Sequence, residues 1–122
     1  MFTTWLDQLP EEVRREVNAD LRYFQEFGRG AALPTVRHRI QSSAEYPNMA
    51  ETRTDMTTPQ RRWVVRCLVV HADQDRAIAC CVGGDKAHWE RSHPDGPDWY
   101  DAFVPVADQI FRRMHIQEGW TT

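Results

Sequence analysis

A chain of 122 residues, 41% hydrophobic and 11% aromatic, is long enough to bury one core and too short for a second domain. The same composition excludes an intrinsically disordered chain. The apolar stretches are too short to span a bilayer and no secretory leader opens the chain, so we expect a cytoplasmic protein with no membrane partner. Its three cysteines form no CxxC pair, which argues against a disulfide framework and a zinc knuckle.

The formal net charge of −3 conceals a segregation of charge along the chain. Residues 1–27 hold six acids and three arginines, and residues 72–122 hold nine acids and five bases. Between them, residues 28–71 hold seven arginines against three acids. A basic middle between two acidic ends is compatible with a polyanionic ligand in spite of the negative total.

The first strong element is a helix. Pro10 stands where a first helical residue would, Glu11 and Glu12 fill the first turn, and Gly28 supplies the end. Apolar residues recur every three or four positions and so share one face: Leu9, Val13, Val17, Leu21 and Phe24. A short apolar opening around Trp5 precedes this helix and is expected to form a helix of its own.

The period changes to two in the middle of the chain. Residues 49–54, 63–71 and 76–82 are rich in Val, Thr and aromatics, which predicts three antiparallel strands, with a hairpin turn at residues 73–75. Alternation in the second run places Arg66 on the same face as Val64, Leu68 and Val70, with Trp63, Val65, Cys67, Val69 and His71 on the other.

The end of the chain returns to helix, with Asp98 as its cap. Its buried stripe is predicted to be Trp99, Phe103, Ala107, Ile110, Phe111 and Met114, and Pro105 should kink or divide it. The fold class is therefore α+β: one domain, residues 1–122, in which two N-terminal helices and a C-terminal helix pack on a small antiparallel sheet.

Arginines from the basic middle lie on or beside segments that should pair as neighbouring strands: Arg53, Arg61, Arg62 and Arg66. A sheet lined with arginine suits phosphate, because the planar guanidinium clasps it in two places and keeps its charge when desolvated. The alternative is that these residues form ion pairs with Glu51 and Asp55 on a solvated face.

Lys86 is the only lysine, and it follows Gly83-Gly84-Asp85, where the third strand should end. An ammonium there can stabilise charge that develops on phosphate oxygens. The alternative is a turn lysine paired with Asp85. Neither GxxxxGK[ST] nor GxGxxG occurs, so nucleotide hydrolysis and dinucleotide binding lack support.

Other chemistries have weaker support. The spacing of Asp85, His88, Glu90 and His93 matches no standard zinc arrangement, so we expect no metal and no cofactor. No serine lies in a nucleophile elbow. Tyr100 and His115 flank the last helical stripe and can carry a proton, although a tyrosine after tryptophan at a helix start also packs as a core residue.

Four stretches, in order, resemble the RelE/HigB toxin superfamily in its phage-derived HigB-like branch. They are WLDQL at residues 5–9, SAEYPNMAETR at 43–53, residues 66–86 ending in VGGDK, and WY with VPVAD within 99–108. The second is similar to the family's N-L-x-E-L-R strand, the third to its R-x-L-F strand, turn and V-x-G-D-K strand, and the fourth to W-Y-x-x-x-I-P-x-A-D. The family opens with a strand before the first helix, for which residues 1–4 leave little room.

The resemblance implies the toxin of a type II toxin–antitoxin pair, an endoribonuclease that cuts messenger RNA on the ribosome without a metal. Its partner would be a small antitoxin, commonly a helix-turn-helix HigA-like protein. The ribose 2′-hydroxyl attacks the adjacent phosphate, which requires cations for the transition state and groups that move protons.

The family's cationic positions match Arg53, Arg66 and Lys86, which would clamp the transition state. His88, Tyr100 and His115 are then candidates for proton transfer. Further arginines of the basic middle would bind the RNA backbone: Arg37, Arg39, Arg61 and Arg62.

Two other functions remain open. A RelE/ParE-like toxin binds and blocks a protein such as DNA gyrase without catalysis, and the acidic ends of this chain and the lack of an unambiguous acid–base residue favour it. A catalytically decayed phage relative would bind its antitoxin alone.

Overall fold

The computed structural model describes residues 2–38, 40, 49–71 and 78–118, with the backbone alone at 29, 71, 78–81 and 115–118. The helices are α1 (Phe2–Asp7), α2 (Glu11–Phe27), α3 (Lys86–Ser92) and α4 (Trp99–Glu118), and a 3-10 turn, Gly28–Gly30, follows α2. The strands are β1 (Val36–Arg37), β2 (Ala50–Thr57), β3 (Arg62–His71) and β4 (Ile78–Asp85).

The described residues form an α+β fold with a four-stranded antiparallel sheet of order β1-β2-β3-β4. The prediction of three strands was one short, because β1 has only two residues and exists through its pairing with β2. The predicted turn at residues 73–75 and the stretch 43–48 lie outside the described residues. Helix α1 precedes α2, so the prediction of two N-terminal helices is confirmed.

Helix α2 forms where the apolar stripe predicts it. Val13, Val17 and Phe24 are fully buried, and the Glu11–Arg15 pair one turn apart lies on the exposed side at 2.8 Å. Gly28 ends the helix with φ 53°, a backbone conformation that residues with a Cβ rarely adopt, and its N–H donates to the Phe24 carbonyl. The helix starts at Glu11, one residue later than predicted.

The sheet buries both of its faces, as the alternation in β3 predicts. Leu68 and Val70 pack with Trp99, Val104 and Phe111 of α4. On the other face Val65 and Cys67 pack with Val13 and Val17 of α2. Because side chains alternate along a strand, Arg66 faces the α4 side. One irregularity between Leu68 and Val69 interrupts the pairing of β3 with β4.

The C-terminal part of the chain differs from its prediction in two respects. The segment after β4 is helical from Lys86, with the Asp85 side chain as its cap, and no helix was predicted there. Helix α4 is not divided by Pro105 but continues through it from Trp99 to Glu118. The cap at Asp98 is confirmed, since its Oδ1 accepts a 2.8 Å hydrogen bond from the Asp101 N–H.

No helix within the described ranges combines the length and the apolar character that crossing a membrane requires.

Candidate functional site

Strand register brings the predicted cations together. Arg53 of β2 stands directly opposite Arg66 of β3, which in turn stands opposite Gly84 of β4. Residues opposite one another on antiparallel strands have Cβ atoms roughly 5 Å apart and point to the same side. Lys86 lies two residues beyond Gly84, and its Nζ lies 5.8 Å from the centre of the Tyr100 ring.

The short strand β1 adds a fourth cation to this face. Arg37 stands opposite Glu51, and its Nε lies 2.9 Å from Oε1 of that carboxylate. The Arg37 guanidinium also lies 5.2 Å from the centre of the Tyr100 ring, so two cations lie close to this ring. We call these four residues the cationic cluster: Arg37, Arg53, Arg66 and Lys86.

Carboxylates hold three of these cations in place. Arg37 is paired with Glu51, Arg66 with Asp55 at 2.6 Å, and Lys86 with Glu90 at 3.3 Å. Arg53 has no ion pair with any residue in the described part of the chain. The alternative, in which Arg53, Arg61, Arg62 and Arg66 pair with Glu51 and Asp55 on a solvated face, is correct only for the pairing of Arg66 with Asp55, and there the arginine is buried. The partner of Glu51 is instead Arg37.

Arg66 is the buried member of the cluster, with a side chain only 4% exposed. Its Nη1 donates to Asp55 and, at 2.9 Å, to the Val65 carbonyl, whereas its Nε has no partner among the described residues. Burial acts to lower the pKa of Arg66, but the hydrogen bond and the charge of Asp55, with help from Tyr100, outweigh it and raise the pKa. The charge is permanent at neutral pH and is poorly screened by water.

Solvent reaches the other three cations. Arg37 and Lys86 have side chains 44% and 29% exposed, and Arg53 is half-buried. These three can contact an anion directly, whereas the buried Arg66 can act on an anion only through the electrostatic field of its charge. The prediction that all of Arg53, Arg66 and Lys86 clamp a phosphate therefore needs a correction for Arg66.

Tyr100 is a proton donor at neutral pH. Burial is the main reason that its pKa rises from 10 to about 12, and the nearby Glu51 carboxylate adds to the rise, while Arg66 opposes it. The phenol is thus neutral and can donate a hydrogen bond or a proton to an oxygen beside the cluster. It is a poor general base in this environment.

Three of the predicted residues lie elsewhere. His88 is exposed on α3, two residues from Lys86, and positions two apart on a helix point to different sides. Arg61 packs 3.6 Å over the Trp63 ring, beside Asp85. Arg62 is exposed at the start of β3, opposite Thr57 and four residues before Arg66. His88, Arg61 and Arg62 are therefore not part of the cationic cluster.

Arg39 and the side chain of His115 lie outside the described residues.

The sequence missed the role of Glu51. Its side chain is 0% exposed, and neither oxygen has a hydrogen bond of good geometry among the described residues. A buried carboxylate is costly unless cations compensate it, and here Arg37 and the Tyr100 hydroxyl surround it. Because no solvent reaches it, Glu51 acts as a positioning residue for Arg37 and Tyr100. The sequence signal for this role was the position of Glu51 after Ala50, in a strand whose side chains alternate between the two faces of the sheet.

Comparisons with protein-family models, curated proteins and solved structures gave no match to this chain. Over the described ranges, no three side chains of His, Cys, Asp or Glu lie close enough to share a metal ion.

Proposed function

We propose that this chain is a toxin of the RelE/HigB type, a ribosome-dependent endoribonuclease that cleaves messenger RNA by attack of a ribose 2′-hydroxyl on the adjacent phosphate. The observation that carries the proposal is that Arg37 and Lys86 lie beside the Tyr100 ring, on the sheet face where Arg53 stands opposite the buried Arg66. The α+β fold agrees with the RelE-like architecture that the resemblance implies.

The pairing of Arg53 with Arg66 supports an anionic ligand. Like charges directly opposite on neighbouring strands destabilise a sheet. Asp55 offsets the charge of Arg66, but no described carboxylate lies within ion-pair distance of Arg53. An anion between Arg53 and the exposed cations would supply the missing compensation.

The chemistry of RNA cleavage fits the groups present. The 2′-hydroxyl loses its proton to solvent as its oxygen forms a bond to phosphorus and the bond to the 5′-oxygen breaks, which leaves a 2′,3′-cyclic phosphate and a 5′-hydroxyl. Solvent then returns a proton to the group that protonated the 5′-oxygen. Arg37, Arg53 and Lys86 would stabilise the additional negative charge on the phosphate oxygens. Tyr100, which keeps its proton well above neutral pH, would donate to an oxygen of the phosphate or to the departing 5′-oxygen.

Expression of the protein under an inducible promoter, followed by sequencing of messenger RNA 5′ ends, tests the proposal. New ends that appear within coding regions with the wild type and are absent with Arg53→Gln would support it. Equal transcript loss with both proteins would reject this site as the nuclease.

A second candidate function is a toxin that binds and blocks a protein target without cleaving RNA. The internal ion pairs of Arg37, Arg66 and Lys86 favour it, because a charge already compensated is less available to phosphate. Inhibition of DNA gyrase supercoiling by the purified protein, with no new RNA ends, would support this candidate.

The proposal includes a small cognate antitoxin, expected to be a helix-turn-helix protein. An antitoxin that binds only the folded toxin must raise its melting temperature by linkage, by an amount that grows with antitoxin concentration.

A further inference from the structure

A second concave site lies along β4, the last strand in the sheet. It is a cavity of about 480 Å³ whose wall includes the indoles of Trp5, Trp63, Trp89 and Trp99. This volume falls within the roughly 300–1,000 Å³ that is typical of small-molecule sites. We call it the indole pocket.

Gly83 and Gly84 bring two of these indoles onto the strand. A Cβ at Gly84 would lie 2.6 Å from Nε1 of Trp99, and one at Gly83 would overlap the six-membered ring of Trp5. Consecutive strand residues point to opposite faces, so each glycine admits an indole on its own side of β4. The Gly-Gly pair is thus a packing device for the walls of the pocket.

The walls are flat, aromatic and held in place. Trp5 and Trp89 remain partly exposed. The ring of Trp89 stacks on His93 at 3.7 Å and meets the edge of Phe103 at 4.9 Å, which fixes its orientation. Rigid aromatic faces of this kind hold nucleobases by stacking in proteins that bind single-stranded nucleic acid.

Asp85 supplies a directional polar group to the pocket. Its side chain is 8% exposed, and Oδ1 accepts from the N–H groups of Val64 and His88 at 3.3 and 3.4 Å. Its Oδ2 has no hydrogen bond of good geometry among the described residues, although Nη2 of Arg61 lies 3.3 Å away. Solvent does not reach Oδ2, so a ligand must first displace the Arg61 guanidinium, whose side chain is 33% exposed. An acceptor uncovered in this way, beside an aromatic cavity, selects a planar ligand that donates hydrogen bonds.

We propose that the indole pocket binds a guanine base, and that this guanine belongs to the RNA strand whose phosphate lies at the cationic cluster. Guanine alone among the RNA bases presents two adjacent donors, N1–H and the 2-amino group, on one edge. Adenine and cytosine place an acceptor lone pair beside their amino group, which a carboxylate repels. The inference rests on the proposed RNA substrate and adds a base preference to it.

Isothermal titration calorimetry of the full chain with guanosine, inosine, adenosine and cytidine tests the pocket without phosphate. Guanosine should bind at least about tenfold more tightly than the other three, since inosine lacks the 2-amino donor. Asp85→Asn should abolish that preference. Asparagine is also a good helix cap, so the variant should fold. The matched control is Asp98→Asn, the same change at the cap of α4, and it should leave the preference intact.

Equal affinity for all four nucleosides, or an unchanged guanosine preference in Asp85→Asn, would overturn the inference. A short single-stranded oligoribonucleotide with one guanosine should compete with guanosine, and failure to compete would overturn the assignment to RNA. Cleavage that depends on Arg53 but ignores the base, in a protein that does not bind guanosine, would reject the guanine pocket and leave the proposed nuclease standing.

Discussion

Replacement of Arg53 by glutamine should separate activity from stability. Arg53 is half-buried, stands opposite the buried Arg66 and has no ion pair in the described part of the chain. If it is retained for a phosphate, its loss should slow RNA cleavage without weakening the fold. If it is a structural residue, its loss should weaken the fold and leave the rate of RNA cleavage unchanged.

The stability change can be bounded from the geometry. Two unit charges about 6 Å apart repel by about 0.7 kcal/mol in water and about 3 kcal/mol at an effective dielectric constant of ~20. Asp55, 2.6 Å from Arg66, removes most of that repulsion. A cross-strand pair contributes at most about 1 kcal/mol, so Arg53→Gln should raise the melting temperature by between zero and about 4 °C.

The activity change should be much larger. Loss of one group that stabilises transition-state charge typically costs a factor of about 100 to 1,000 in rate, equivalent to ~2.7–4 kcal/mol. Single-turnover cleavage of ribosome-bound messenger RNA measures it. The control is Arg22→Gln, the same change at an exposed arginine of α2, a helix that packs on the other face of the sheet. An unchanged cleavage rate in Arg53→Gln, or a melting temperature several degrees lower, would refute the reasoning.

Three further predictions concern the supporting structure. Gly84→Ala should lower the free energy of unfolding by about 1–3 kcal/mol, because the new Cβ would lie 2.6 Å from the fully buried indole of Trp99. The control is Gly30→Ala, whose Cβ would have nothing within 4 Å, and it should leave the melting temperature nearly unchanged. Equal effects of the two substitutions would contradict this prediction. Burial is the main cause that raises the pKa of Asp20, so its ionised form weakens the fold at neutral pH. Asp20→Asn should therefore raise the melting temperature at pH 7, and the gain should disappear below about pH 4, where the unfolded carboxyl of the wild type is protonated; a gain that persists at pH 3 would count against it. With its pKa raised to about 12, Tyr100 keeps its proton in the folded state, whereas the unfolded chain loses it near pH 10. Urea unfolding should therefore show the wild type losing stability relative to Tyr100→Phe between about pH 10 and 12. Identical pH profiles of the two proteins would exclude the pKa shift.

The elements that the sequence predicted well have a regular apolar period and a local boundary signal. Helix α2 has both, with buried Val13 and Val17 on its stripe and Gly28 at its end. The two faces of β3 follow from alternation alone. Strand β1 was missed because two residues carry no period, and α3 because its seven residues begin at a cap that also closes a strand.

The candidate site shows the same division between local and long-range information. Placement of Arg66 on one face of β3 needed only a count of residues, but its position opposite Arg53 required the register of β2. The contact of Arg37 with Glu51 depends on a two-residue strand that no pattern indicated. His88 was misplaced because the backbone changes from strand to helix at Lys86 and turns alternate side chains to different sides.

The chemical nature of the RNA ends tests the central claim most directly. Purified protein, ribosomes and a defined messenger RNA should give fragments with 2′,3′-cyclic phosphate and 5′-hydroxyl ends, resistant to EDTA, and a 2′-deoxy substitution at the cleaved position should abolish the cut. Absence of cleavage, 5′-phosphate ends, or cleavage that persists at the 2′-deoxy position would contradict the account.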